Sequence, residues 1–177
     1  VFLQFEIPDE AAIAAAKFAA KRKIPVFVDA GPAKPDTPLE KLPPLEVISP
    51  NETETEALTG VFPNDSANCL EAANELLKRV ESKYVVIKLG GRGTYIYDGL
   101  YYHCLPAYDV KAVDTTAAGD AFTAAFTLEY LRSGDVERAG KYGNAVGALT
   151  VSRSGAYTSL PTAAEVDEFI ARKGIKL

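Results

Sequence analysis

Apolar residues fall into two kinds of segment along the chain. Short continuous runs at 1–5, 24–28, 45–48 and 84–89 read as strands buried on both faces. Between them lie longer segments of helical period. Residues 12–23 place Ile13, Ala16 and Ala20 on one face and end in Lys21-Arg22-Lys23, cations suited to a helix C-terminus; Pro8 and Asp9-Glu10 suit its first turn. Residues 67–82 turn Leu70, Ala73, Leu76, Leu77 and Val80 inward. Ala118, Phe122, Phe126 and Tyr130 recur at i+4. Ser133-Gly134-Asp135 stops that helix and caps the next, over 136–151, and 163–172 forms the last. Thr94 to Tyr97 alternates as a strand, and Asp98-Gly99 turns it into a hairpin with 101–104. The proline-rich stretch 33–44 reads as a loop with a short helix near Leu39, and 56–60 as a short helix stopped by Gly60. Strands alternating with helices predict an α/β fold, a mainly parallel sheet with helices on both faces.

Composition narrows the function. At 177 residues the chain suggests one domain, and 19 basic against 24 acidic residues give a net charge of −5. No basic stripe appears, which argues against nucleic acid as partner. No apolar run has membrane-spanning length and no signal peptide opens the chain, so a cytoplasmic setting is expected. Cys69 and Cys104 lack metal-ligand spacing and are expected as buried free thiols. Methionine is absent, so Val1 is not an initiator residue.

The chemistry concentrates in Asp114-Thr115-Thr116-Ala117-Ala118-Gly119-Asp120. Small residues at a helix start leave the first-turn N–H groups open to an anion, which the helix dipole also favours. Asp120 adds a carboxylate beside that place. Repulsion makes the pairing odd for simple phosphate binding. It makes sense where a carboxylate handles an attacking hydroxyl while N–H groups hold phosphoryl charge. Three glycines in Gly90-Gly91-Arg92-Gly93 follow a strand, yet neither the dinucleotide G-x-G-x-x-G nor a Walker A motif is present. Asn51 and Glu54 share a helix start, as a capping pair or as a metal and phosphate element. Asp29 closes a strand, where turn formation and a place near substrate or metal are both open. His103, the one histidine, sits on the hairpin with no nucleophile motif.

Residues 114–127 resemble the C-terminal signature of the ribokinase-like (PfkB) sugar kinases, D-T-x-[GA]-A-G-D followed by small residues. The similarity runs from Leu3-Gln4-Phe5-Glu6 to Ser159-Leu160-Pro161. It departs at Ala117, where many members carry Gly. The resemblance implies a three-layer α/β/α ribokinase-like fold, with residues 1–177 forming a single partial nucleotide-binding and catalytic domain. It makes Asp120 the catalytic base and Ala117, Ala118 and Gly119 the anion hole. Glu6 would contact a sugar hydroxyl. Asn51 and Glu54 would match the N-x-x-E element that positions phosphate and, through water, Mg²⁺. Gly90, Gly91 and Gly93 would line the ATP phosphates with Lys88 supplying charge, and Asn144 would lie against adenine. K⁺ would be held by Asp114 and Ser159 side chains and by the carbonyls of Thr116, Thr150, Arg153 and Gly155.

The family carries a further N-terminal half, with glycine-rich sugar-binding segments and a β-lid, that this sequence does not show. A fragment or a processed chain is therefore expected, and the lid's dimer contact would belong to the complete protein. The implied reaction is transfer of the ATP γ-phosphoryl to a primary sugar hydroxyl, with ribose the favoured acceptor. A fructokinase or nucleoside kinase remains open, as does a nucleotide-binding module without catalysis.

Overall fold

The computed structural model describes residues 1–177. The chain forms two compact units, one of Val1–Gly90 with Tyr95–Cys104, the other of Gly91–Thr94 with Leu105–Leu177.

A six-stranded sheet dominates the first unit, in the spatial order β1 (Phe2–Leu3), β2 (Phe27–Asp29), β3 (Leu45–Ser49), β4 (Ser82–Lys88), β5 (Thr94–Tyr97), β6 (Tyr102–Leu105). The first four strands are parallel, with Phe27 opposite Val47, Asp29 opposite Ser49 and Val47 opposite Tyr84. Such pairing needs long crossovers. Helix α1 (Asp9–Lys21) carries the crossover from β1 to β2 and helices α2 (Glu52–Thr59) and α3 (Ser66–Arg79) that from β3 to β4, while residues 30–44 link β2 to β3 without an α-helix. The links β4–β5 and β5–β6 are too short for a crossover, so the last two strands run antiparallel. The Asp98 carboxylate accepts the Leu100 and Tyr101 N–H groups and closes the hairpin.

The core of this unit lies between one sheet face and the three helices. Ala12, Ala16 and Ala19 of α1 and Cys69, Ala72, Ala73 and Leu76 of α3 pack with Val28, Ile48, Val85, Ile87 and Tyr95. Alanines along α1 let its backbone approach the sheet closely. The 24–28 run yields a strand only from Phe27, because Lys23 adopts φ +58° and Pro25 has no N–H to donate. Helix α3 ends at Arg79, with Val80 extended and Ser82 already opening β4, earlier than the periodicity suggests. Cys69 is buried as expected, but Cys104 is exposed: β6 is an edge strand, and its alternation turns that thiol to solvent.

The second unit is helical. Helix α4 (Ala118–Ser133) and helix α5 (Val136–Val151) form an antiparallel pair joined at Gly134 and capped by Asp135, whose carboxylate accepts the Arg138 N–H. Phe122, Phe126 and Tyr130 stack along α4, with centroids 5.9 and 6.2 Å apart. Gly143 of α5 faces that ladder, and a Cβ there would lie 2.8 Å from the Phe122 ring. Glu129, buried on α4, ion-pairs with Arg138 of α5. Helix α6 (Ala163–Lys173) adds Val166 and Phe169 to Ala121, Ala125, Ala145 and Leu149. No helix of the structure is long and apolar enough to cross a membrane.

Candidate active site

In the second unit the chemistry begins where α4 begins. Ala117 precedes the helix at φ +61°, a left-handed conformation uncommon for a residue with a side chain, and it offers no side-chain cap. A left-handed residue followed by helical ones points successive N–H groups into one concavity, a shape that accepts anions. The Ala118 N–H is partly used, donating to Thr115 O at 3.2 Å. Gly119 and Asp120 follow in the first turn, and both are exposed.

Upstream, Asp114 organises the approach. One of its oxygens accepts from the Thr116 N–H at 3.0 Å and the Thr116 hydroxyl at 2.7 Å; the other accepts from the Gly155 N–H at 2.9 Å. The Thr116 hydroxyl above all, then the Gly155 and Thr116 N–H groups, pull the Asp114 carboxyl down to about 2. The Val113 and Asp114 N–H groups donate to Val151 O at the end of α5. Thus 113–116 and 150–155 lie side by side. Thr150 O accepts the Arg153 N–H, and the Arg153 guanidinium reaches Glu165 at 2.7 Å. Buried Ser159 donates its hydroxyl to Ala156 O at 2.6 Å.

The Gly91–Thr94 segment also belongs to this unit. Gly93 has φ +96°, and a Cβ there would meet Leu105 O at 2.0 Å, so only glycine fits. Asn144, buried on α5, accepts from the Thr94 hydroxyl at 2.7 Å and donates to Leu105 O and Pro106 O, each at 3.2 Å.

In the first unit, site residues gather at the C-terminal ends of parallel strands, the edge where open α/β sheets place ligands. Phe5 N–H donates to Gly31 O, so exposed Glu6 follows directly on that contact. Asn51 and Glu54 form a reciprocal capping box: the Asn51 side chain accepts the Glu54 N–H at 2.9 Å and the Glu54 carboxylate accepts the Asn51 N–H at 2.7 Å. The second Glu54 oxygen lies against Gly31, where a Cβ would sit 2.4 Å from it. Lys88 pairs with Asp29 at 2.6 Å, both side chains nearly buried, and Asn51 bridges to Lys88 in parallel register. Gly90 adopts φ +54° beside the Glu52 carboxylate. No group of three or more His, Cys, Asp or Glu side chains is arranged to hold a metal ion by itself. Neither the Asp29–Lys88 pair nor Thr94 as a partner of Asn144 is signalled by any local pattern of residues. Gly31 carried a weak signal, a Gly-Pro step directly after a strand.

The first unit thus offers an α/β sheet with polar residues at its strand ends, and the second a helix entered through an uncapped, carboxylate-bearing first turn; each is a type of feature that favours anions or ligands in general. The family model for pfkB family carbohydrate kinase matches residues 2–163, and the chain belongs to that family. A ribokinase of Staphylococcus aureus is 37% identical over 169 residues, covering 95% of this chain and 55% of that protein. An ATP-dependent ribose-1-phosphate kinase of Halopiger xanaduensis is 38% identical over 177 residues, covering 98% and 55%. The solved structure of Arabidopsis thaliana ribokinase complexed with ribose and ATP matches with a TM-score of 0.86 at 32% identity, covering 96% of this chain and 55% of that one. The chain therefore spans about half the length of these relatives.

Proposed function

We propose that this chain is the nucleotide-binding and catalytic part of an ATP-dependent sugar kinase that phosphorylates a primary hydroxyl, with ribose the acceptor. The observation that carries the reading is the start of α4, where left-handed Ala117 and an uncapped first turn stand beside the exposed Asp120 carboxylate. Asp120 takes the proton of the attacking hydroxyl. The first-turn N–H groups of Ala117, Ala118 and Gly119 hold charge that develops on the transferred phosphoryl. Gly90, Gly91 and Gly93 let backbone approach the ATP phosphates, and Glu6 binds a sugar hydroxyl. Lys88 acts here as half of an ion pair with Asp29 rather than as a lone cation.

Two cations suit the oxygens present. Mg²⁺ keeps most of its waters and needs few carboxylates, and Glu54 with Asn51 would hold it through water. Bound there, it would neutralise phosphate charge. The 114–116 and 150–159 segments offer oxygen donors only, which suits K⁺. Asp114 uses three of about four acceptor sites on its carboxylate in the contacts described, leaving one for a cation. The carbonyls of Thr116, Thr150, Arg153 and Gly155 and the Ser159 hydroxyl would complete the set.

A second reading rests on length. A chain covering 55% of its relatives would bind nucleotide without transferring phosphate if the acceptor site lies in the remainder. ADP release from Mg·ATP with K⁺, measured with ribose, 2-deoxyribose, ribose 1-phosphate, fructose and adenosine, separates the readings. Release that depends on ribose supports the first. ATP affinity without acceptor-dependent release supports the second, and release with another acceptor alone removes ribose.

A further inference from the structure

We propose that Asn144 is a positioning residue that sets the glycine-rich loop, so that its effect on nucleotide binding runs through the phosphates and not through the base. The inference rests on the nucleotide reading above and deepens it. Three segments of the second unit meet at this one amide. Its Nδ2 faces two carbonyl oxygens, Leu105 O and Pro106 O, which can only accept, so the NH₂ end of the amide is fixed there. Its Oδ1 then accepts the Thr94 hydroxyl at 2.7 Å. Both donors and one of two acceptor sites are thereby used, and the side chain is buried.

The residues it holds border the loop. Thr94 directly follows Gly93, and Gly93 itself is pressed on Leu105 O and Ala107 N with no room for a Cβ. Asn144 thus joins the loop's exit to the strand exit and fixes both to α5. The adjacent Gly143 receives the Phe122 ring of α4, two residues after Asp120. One turn of α5 therefore supports both the glycine loop and the helix that opens on the catalytic carboxylate. A side chain spent this way has one acceptor left for a base, whereas moving it would displace Thr94, Gly93 and the N–H groups before them.

The test is binding of Mg·ATP, Mg·GTP and inorganic tripolyphosphate, the last having no base, to the wild-type chain and to Asn144→Ala, Thr94→Val and Thr94→Ser. Loss of three internal hydrogen bonds in Asn144→Ala and of one in Thr94→Val is expected to weaken all three probes by a similar factor, about fivefold for the first and about threefold for the second. Thr94→Ser, which keeps the hydroxyl, is expected to restore binding. The double variant Asn144→Ala/Thr94→Val should bind no worse than Asn144→Ala alone, because the two share one interaction. Thr94→Val also keeps the test sound if Asn144→Ala fails to fold. Weakened ATP with unchanged tripolyphosphate, or a silent Thr94→Val, overturns the positioning role and leaves the nucleotide reading standing. A wild-type chain that binds none of the probes overturns both.

Discussion

The Asp114 carboxylate accepts the Gly155 N–H at 2.9 Å across 41 residues of sequence, while its other oxygen holds Thr116. The segment that leads into α4 is therefore tied to the loop that leaves α5. Because this carboxyl is lowered to about 2 from an ordinary 3.8, its contribution is present above pH 4 and is lost as pH falls through about 2. The Gly155 amide resonance followed from pH 5 downward should titrate with a midpoint near 2, and should not respond in Asp114→Asn. A midpoint near 3.8 would show that the tie does not hold in solution.

Glu54 closes a capping box, a duty separable from the Mg²⁺ role proposed for it. Glutamine keeps the oxygen that accepts the Asn51 N–H, so Glu54→Gln should leave stability within ~0.5 kcal/mol, while Glu54→Ala should cost about 1 kcal/mol by thermal denaturation. If the carboxylate also positions Mg²⁺, Glu54→Gln should still raise the Mg²⁺ concentration needed for half-maximal turnover about tenfold or more. An unchanged Mg²⁺ requirement would reduce Glu54 to a helix cap.

Asp29 and Lys88 form a nearly buried pair, 4% and 11% exposed. Replacing one member of such a pair costs roughly 3–5 kcal/mol, and replacing both costs less than the sum. Urea denaturation of Asp29→Asn, Lys88→Met and the double variant should give a coupling above ~1 kcal/mol. Additive losses would mean that each charge is held by other neighbours.

Two of the loop's three glycines, Gly91 and Gly93, should part company. Gly93→Ala meets Leu105 O and an unfavourable φ, and should lose ~2 kcal/mol or more. A Cβ at Gly91 meets nothing within 4 Å, so Gly91→Ala should fold normally and weaken ATP binding only by blocking backbone approach to the phosphates. Equal stability of the two variants, by urea titration, would contradict the geometry.

How far the sequence carried these conclusions depends on whether a feature is local. The α4 start, the Asn51–Glu54 pair and the Gly60 stop are each written within a few residues, and each stands where the pattern put it. The 24–28 strand shrank because Lys23 and Pro25 override an apolar run. The motifs around Lys88 and Asn144 point only to ligand contacts. Their partners, Asp29 at 59 residues' separation and Thr94 at 50, come together only through sheet order and helix packing. Periodicity holds no information about such pairs.

Asp120 is the residue on which the account turns. The most direct measurement is ribose-dependent ADP release from Mg·ATP with K⁺ present, made in parallel with ATP affinity, for the wild type and Asp120→Asn. Removing a positioned general base should cut kcat by about 10²–10⁴-fold while ATP affinity changes less than about threefold. Turnover near the wild-type rate in Asp120→Asn would remove this carboxylate from the reaction and with it the proposed mechanism.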